Sequence, residues 1–112
     1  MSGRSISIGT LVTTTESDLY VVPPRFNADI KTITLSNNNS AGQHVTVKWF
    51  NAATSTTYVL VDDKQLTAHE LIQLFEPLSL SAGDKIRVVG NSSTHIRVSL
   101  RVEETYSPVM KN

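Results

Sequence analysis

The chain has 112 residues, ten basic and ten acidic side chains, and no cysteine. The lack of a basic excess argues against nucleic-acid binding, which depends on neutralising phosphates, and the lack of cysteine excludes disulfides and thiolate metal sites. A chain of this length forms one domain, and it shows neither the charged and apolar segments of a signal peptide nor the roughly 20 apolar residues of a membrane helix.

Alternation of apolar and polar residues is the dominant pattern along the chain, and it marks half-buried β-strands. It is clearest over residues 96–103 and recurs over residues 45–49 and 86–88. In chain order, we predict strands over residues 6–15 (with a possible break at Gly9), 19–22, 28–36, 45–50, 56–61, 67–76, 78–80, 85–89 and 96–103.

Breaks in the alternation locate the turns and one ambiguous segment. Residues 37–42 and 90–94 are rich in Asn, Gly and Ser, which favour loops, and Asp and Lys at 62–64 close the fifth strand. The spacing of apolar residues in 28–36 predicts a bulge at Lys31 and Thr32. Residues 67–76 fit a strand, which we favour because Pro77 follows closely, and they also fit one helical turn that begins with a capping box.

About eight short strands predict an all-β protein with a single antiparallel β-sandwich, jelly-roll-like in architecture. Residues 1–112 form this one domain, because the sequence has no internal repeat and no linker. Residues 1–4 and 105–112 lack the strand pattern. We expect them to be flexible or to act as arms that dock on a partner.

Catalytic and metal-binding arrangements are not evident in the sequence. The acid pairs Asp62-Asp63 and Glu103-Glu104 sit at predicted strand ends, where adjacent side chains point to opposite faces, so we interpret them as turn or solubility residues. The three histidines are far apart, whereas a zinc site needs at least three convergent ligands. No Gly-x-Ser-x-Gly motif is present. The sequence therefore predicts no enzyme activity, no metal and no cofactor.

Aromatic residues leave a carbohydrate-binding module as an alternative. A platform of stacking rings would have to be built from Trp49, Tyr20, Tyr58 and Phe75. Trp49 shares a strand face with Val45 and Val47, which favours packing in the core. Tyr58 is the ring expected to point outward.

Three arginines are the candidate partner-binding residues. If the apolar residues of 86–89 and 96–102 face inward, then Arg87, Arg97 and Arg101 face outward. A short loop joins the two segments, so we expect antiparallel neighbours and a basic ladder on one sheet face. Such a ladder would dock on an acidic protein surface, since arginine is favoured at interfaces; the alternative is a solvated face balanced by Glu103.

The order of segments resembles small all-β virion proteins of tailed bacteriophages. The residues that carry the resemblance are Leu-Tyr-Val-Val-Pro-Pro at 19–24, Ile-Thr-Leu-Ser-Asn at 33–37, Val-Thr-Val at 45–47, Leu-Ser-Leu-Ser-Ala-Gly-Asp-Lys-Ile-Arg-Val at 78–88 and Ile-Arg-Val-Ser-Leu at 96–100. The sequence departs from that pattern at Arg25-Phe26 and in the longer connection over residues 62–70.

The resemblance implies a structural protein located in the virion. Capsid decoration is the first expectation: a cement protein that binds the outer shell and bridges capsomers. Attachment to tail, neck or fibres is the alternative. The implied partners are the major capsid protein or other virion proteins, together with further copies of the chain in a dimer or trimer, because symmetric shells offer two-fold and three-fold positions. No nucleic acid and no membrane is expected among the partners.

Overall fold

The computed structural model describes residues 3–75, 77–91 and 94–106, which form nine strands and no helix. The strands are β1 (Gly3–Leu11), β2 (Ser17–Val21), β3 (Phe26–Asn37), β4 (Gln43–Asn51), β5 (Thr56–Leu66), β6 (Leu71–Leu74), β7 (Leu78–Leu80), β8 (Lys85–Gly90) and β9 (Ile96–Tyr106). The prediction of an all-β protein is confirmed.

Two antiparallel sheets form the sandwich. The first sheet has the order β1-β9-β3-β6, with β7 also paired to β3, and the second sheet has the order β2-β8-β4-β5. Strands β6 and β7 pair with successive stretches of β3 and so act as one interrupted edge strand. The chain passes repeatedly from one sheet to the other, which is the jelly-roll arrangement predicted from the sequence.

The core lies between the sheets and follows the alternation seen in the sequence. Strand β9 shows it best, because its even-numbered residues from Ile96 to Glu104 are buried while all its other residues are exposed or half-buried. The largest fully buried apolar side chains are Ile30, Leu35, Leu66, Ile86, Ile96, Leu100, Val12, Val22, Val45, Val47 and Val88. They come from both sheets and from the segments beside them, so one continuous core holds the sheets together.

Local irregularities match the sequence in part. The register of β3 against β9 shifts between Ile30 and Thr32, which confirms the predicted bulge, whereas Gly9 lies within an unbroken β1. Strand β5 continues through residues 62–64, which were predicted as a turn. The backbone of Asp63 has a φ of 47° there, and the pairing with β4 shifts on either side of Val47. The acidic residues therefore sit in an irregular strand.

The ambiguous segment combines a turn with a strand. Glu70 accepts hydrogen bonds from the Thr67 amide at 2.7 Å and from the Thr67 hydroxyl at 3.1 Å. These bonds close a turn before β6, so the capping-box pattern is real but no helix follows it. The favoured strand prediction holds for residues 71–74.

Both chain ends enter the first sheet further than expected. Gly3 and Arg4 pair with Thr105 and Glu104, and Tyr106 pairs with Phe26 of β3. The structure therefore differs from the expected arms at residues 3–4 and 105–106, which are parts of strands. The rest of both segments lies outside the described residues.

Candidate partner-binding surfaces

Arg97 and Arg101 lie together on the outer face of the first sheet. Both belong to β9, and both side chains are exposed. Four residues along a strand separate them by about 13 Å. Within the described ranges neither guanidinium forms an ion pair with a carboxylate. Two cations on one face are thus available to a partner.

The cross-strand neighbours of these two arginines are uncharged. Cross-strand neighbours on β1 and β3 are Leu11 and Ser36 beside Arg97, and Ser7 and Thr32 beside Arg101. Between the arginines, Ser99 lies beside Gly9 on one side and Thr34 on the other. The nearest carboxylate on the strand, Glu103, is 3.7 Å from Lys31 Nζ and so is already paired. Around Arg101 the neighbouring side chains are small, whereas Arg97 has the exposed Leu11 on one side, and both arginines remain exposed.

Arg87 does not belong to this face, and the predicted ladder of three arginines is wrong. Strand β8 lies in the second sheet and β9 in the first, because the short connection between them crosses the sandwich instead of forming a hairpin. Arg87 Nε donates to Asp18 Oδ1 at 3.0 Å, and the guanidinium lies 4.8 Å from the centre of the Phe50 ring. Its charge is therefore neutralised on the opposite side of the molecule.

A groove separates β5 from β6 and β7 at one side edge of the sandwich, which we call the open edge. Its volume is about 430 Å³. The residues that line it are Ile33, Leu35, Leu60, Val61, Lys64, Ile72, Leu74, Pro77 and Leu78. Lys64 pairs with the inward-facing Val45, so its side chain is directed towards the space between the sheets. The groove thus combines apolar walls with one cation.

The opposite side edge, where β1 contacts β2, contains a buried polar cluster; we call it the closed edge. Glu104 is 1% exposed and accepts hydrogen bonds from Arg4 Nε, at 2.6 Å, and from the Tyr20 hydroxyl. Burial raises the pKa of Tyr20, and the hydrogen bond to Glu104 and the carboxylate charge raise it further. Because Tyr20 belongs to the second sheet and Glu104 to the first, this cluster joins the sheets.

The interpretation of Glu103 and Glu104 as turn or solubility residues is correct for Glu103, which is exposed, and wrong for Glu104, which is buried. The carboxyl group of Glu104 faces inward because β9 continues to Tyr106 and its period of two holds through Glu104. That period is the signal in the sequence that places Glu104 on the inward face. The acidic side chain pointed instead to an exposed position. Since both carboxylate oxygens of Glu104 are hydrogen-bonded, the cluster is structural.

Asp84 is a second buried acid with a structural role. Its carboxylate accepts hydrogen bonds from the amides of Ala52 and Ser81 and from Trp49 Nε1, at 2.9, 3.1 and 3.2 Å. Gly83, with a φ of 90°, allows the tight turn that places this carboxylate. The Ala-Gly-Asp segment therefore ties the turn before β8 to the turn after β4.

The histidines do not converge on a metal site. His44 Nδ1 is 2.7 Å from Asp63 Oδ1, and His95 Nδ1 is 3.2 Å from the side-chain amide of Asn38. Among the described residues, no group of three or more His, Cys, Asp or Glu side chains could hold a metal ion. Over the same ranges, no helix long and apolar enough to cross a membrane is found.

The aromatic side chains do not form a common platform. Trp49 stacks on Tyr58 with ring centres 4.9 Å apart, and Trp49 packs against the core as predicted. Tyr58 is 45% exposed, Tyr20 is buried, and Phe75 follows β6 of the other sheet. One face of Tyr58 is therefore used inside the protein, and the four rings do not line one surface.

Comparisons with known proteins give the fold. No protein-family model and no curated protein matches the chain. Among solved structures it is similar to a chain of infectious bursal disease virus, Gx strain (TM-score 0.60, 10% identity, 99% of this chain and 35% of that chain). It is also similar to a chain of the T13 particle of the same virus (TM-score 0.58, 9% identity, 96% and 32%). A third similar chain comes from the disulfide-linked pili of Bacillus endospore appendages (TM-score 0.55, 9% identity, 95% and 87%).

These likenesses define the class of protein: a jelly-roll domain with the fold found in chains of virus particles and of a spore appendage. The domain spans about a third of each viral chain and most of the appendage chain. At this level of identity the likeness shows the fold alone.

Proposed function

We propose that the protein is a structural protein of a bacteriophage virion, and that it decorates the capsid by binding the outer shell and bridging capsomers. Support for a virion role comes from the jelly-roll fold, which aligns over 99% of the chain with a chain of a virus, and from the resemblance of its turns to phage virion proteins. The major capsid protein is the proposed partner. Attachment to tail, neck or fibres is the rival location.

The observation that carries the docking proposal is the outer face of the first sheet, where Arg97 and Arg101 are exposed and, within the described ranges, form no ion pair. Arginine makes bidentate hydrogen bonds to carboxylates, and the cross-strand neighbours of Arg97 and Arg101 carry no charge that would compete for them. The proposed partner surface is acidic, with carboxylates spaced to meet two guanidinium groups about 13 Å apart. Many copies on one shell would convert weak individual contacts into strong overall attachment.

Quantitative mass spectrometry of purified particles tests the location. Hundreds of copies per particle, near the number of major shell proteins, would support decoration. A few dozen copies or fewer would favour tail, neck or fibres. Absence from the particle would contradict the virion proposal and return attention to the carbohydrate-binding alternative, for which loss of glycan binding in Tyr58→Ala would be the test.

Binding of the purified protein to particles that lack it tests the docking face. The double variant Arg97→Gln/Arg101→Gln should bind at least about tenfold more weakly, because two charge-assisted contacts are lost. The matched control is Arg87→Gln, which removes an arginine that is already paired on the opposite side. Equal affinities of the double variant and the unmodified protein would refute the assignment of this face.

A further inference from the structure

We infer that strand β1 pairs edge to edge with β1 of a second copy of the chain, across a two-fold axis at Ser7. Strand β1 is the outermost strand of the first sheet at the closed edge. Side chains close the gap between the sheets there, but within the described ranges no strand pairs with the outward side of β1. This inference goes beyond the proposed function, because it concerns the isolated protein.

The other edge strands all carry features that hinder pairing with a further strand. Strand β2 has only five residues and a register shift, β5 has two register shifts, and β6 and β7 are separated by Pro77. Strand β1 has none of these features, because its nine residues pair with β9 in one unbroken register and include no proline. It is therefore the edge best suited to accept another strand.

The odd-numbered residues of β1 direct their backbone groups outward. The Val12 amide donates to the Ile96 carbonyl at 2.8 Å, and this pair continues the register of β1 against β9. Because bonded and non-bonded pairs alternate along an antiparallel ladder, the even-numbered residues of β1 bond to β9 and the odd-numbered residues do not. Ser5, Ser7 and Gly9 thus form the middle of a row of donors and acceptors that no described strand uses.

The sequence of β1 is nearly symmetric about Ser7, and this favours a second copy as the partner. Antiparallel pairing centred there overlaps all nine residues and places Ser5 opposite Gly9 of the second copy, both with outward backbone groups. Ile6 then lies opposite Ile8 of the second copy on the inward face. Both isoleucines pack against the core but are only half-buried in one chain, so each would cover the other. An interface between identical surfaces requires such self-complementarity.

The charges of the first sheet are compatible with this pairing. Arg4, the only charged residue of β1, is bonded to Glu104 at 2.6 Å and would lie opposite Thr10 of the second copy. Arg101 of each copy would be three strand spacings from the other, about 14 Å, a distance at which salt screens the repulsion. The two first sheets would form one continuous sheet, so Arg97 and Arg101 of both copies would share one exposed outer face.

The carboxylates beside β1 in the second sheet are also neutralised within the chain. Asp18 of β2 is 3.0 Å from Arg87 Nε and 3.6 Å from Lys85 Nζ, and Glu16 is 2.7 Å from Lys48 Nζ. Neither would bring an unpaired negative charge to its counterpart across the two-fold axis. The zero net charge of the chain likewise means no overall repulsion between copies.

Sedimentation velocity over a range of concentrations tests the pairing. The unmodified protein should show a dimer that dissociates on dilution, and Ser7→Pro should weaken it at least about tenfold, because proline removes the central outward N–H. No hydrogen bond to β9 is lost, so the variant should remain folded, which thermal unfolding checks. The matched control is Ser7→Ala, which keeps the N–H and should dimerise normally. A monomer at every concentration, or a dimer that Ser7→Pro leaves unchanged, would overturn the inference.

Cross-linking gives a second test, for which a chain without cysteine is well suited. Oxidised Ser7→Cys protein should form a disulfide between copies, because directly opposed bonded residues have Cα atoms about 5.5 Å apart. Ser5→Cys is the matched control, exposed on the same strand but displaced from its counterpart by four residues, or about 13 Å. Mixing Ser5→Cys with Gly9→Cys should restore the cross-link. Equal yields from Ser7→Cys and Ser5→Cys alone would exclude a two-fold axis at Ser7.

Discussion

At the closed edge the gap between the sheets is bridged by long polar side chains, whereas at the open edge a groove of about 430 Å³ remains between them. Glu104 and Tyr20 reach across the closed edge and hydrogen-bond within the chain. At the open edge, apolar side chains remain exposed. The alternation of apolar and polar residues accounts for both sheets. The residues at the side edges determine whether the gap between the sheets is closed by side chains of the same chain.

Removal of the Glu104 carboxylate should have the largest effect on this contrast. Glu104→Ala leaves the Tyr20 hydroxyl buried without its acceptor, so we expect the free energy of unfolding to fall by about 2–4 kcal/mol. The matched control is Glu103→Ala, one residue away but exposed, which should change it by less than about 0.5 kcal/mol. Urea denaturation measures both. Similar losses in the two variants would mean that the cluster does not close this edge.

Alkaline pH should weaken the closed edge through Tyr20. Its pKa is raised above the ordinary value of 10.0, first by burial and then by Glu104, so the folded state favours the protonated phenol. This contribution is fully present below about pH 10 and is lost as pH rises through the raised pKa. Tyr20→Phe should therefore lose less stability than the unmodified protein between pH 9 and about pH 11 in urea denaturation. Equal losses of stability in the two proteins over this pH range would contradict the assigned role of Tyr20.

The sequence predicts which face of a strand is buried better than it predicts which strands lie next to each other. Alternation over residues 96–103 gave the inward face of β9, and irregular spacing gave the bulge after Ile30. The sheet to which each strand belongs could not be read in this way, because a short connection fits both a hairpin and a crossing between sheets. That ambiguity led to the wrong placement of Arg87 beside Arg97.

Candidate sites depend on contacts that are distant in the sequence, and this limits their prediction. Asp84 could be predicted in a tight turn, but its hydrogen bonds to Trp49 and Ala52 exist only after β4 and β8 pair. The groove is similar: its walls come from three stretches of chain that alternate like any other strand. Only Leu71 and Phe75, apolar on a face that should be polar, gave a signal in the sequence.

Acidic pH should produce the smallest effect, and at the open edge. Hydrogen bonds from the backbone amide and then the hydroxyl of Thr67 hold the pKa of Glu70 below its ordinary value of 4.5. Such a group stabilises the fold above that value, and its contribution is lost as pH falls through the lowered pKa. Glu70 is half-buried and its hydrogen bonds to Thr67 are exposed to solvent, so the turn before β6 should loosen slightly and locally. Amide exchange of β6 between pH 6 and pH 3 measures this loosening. Glu70→Gln is the comparison, because that variant lacks the titrating group. If protection of β6 changes in parallel in both proteins, Glu70 does not hold the turn that positions Leu71 and Phe75, and the geometry of the open edge must come from the pairing of β6 with β3 alone.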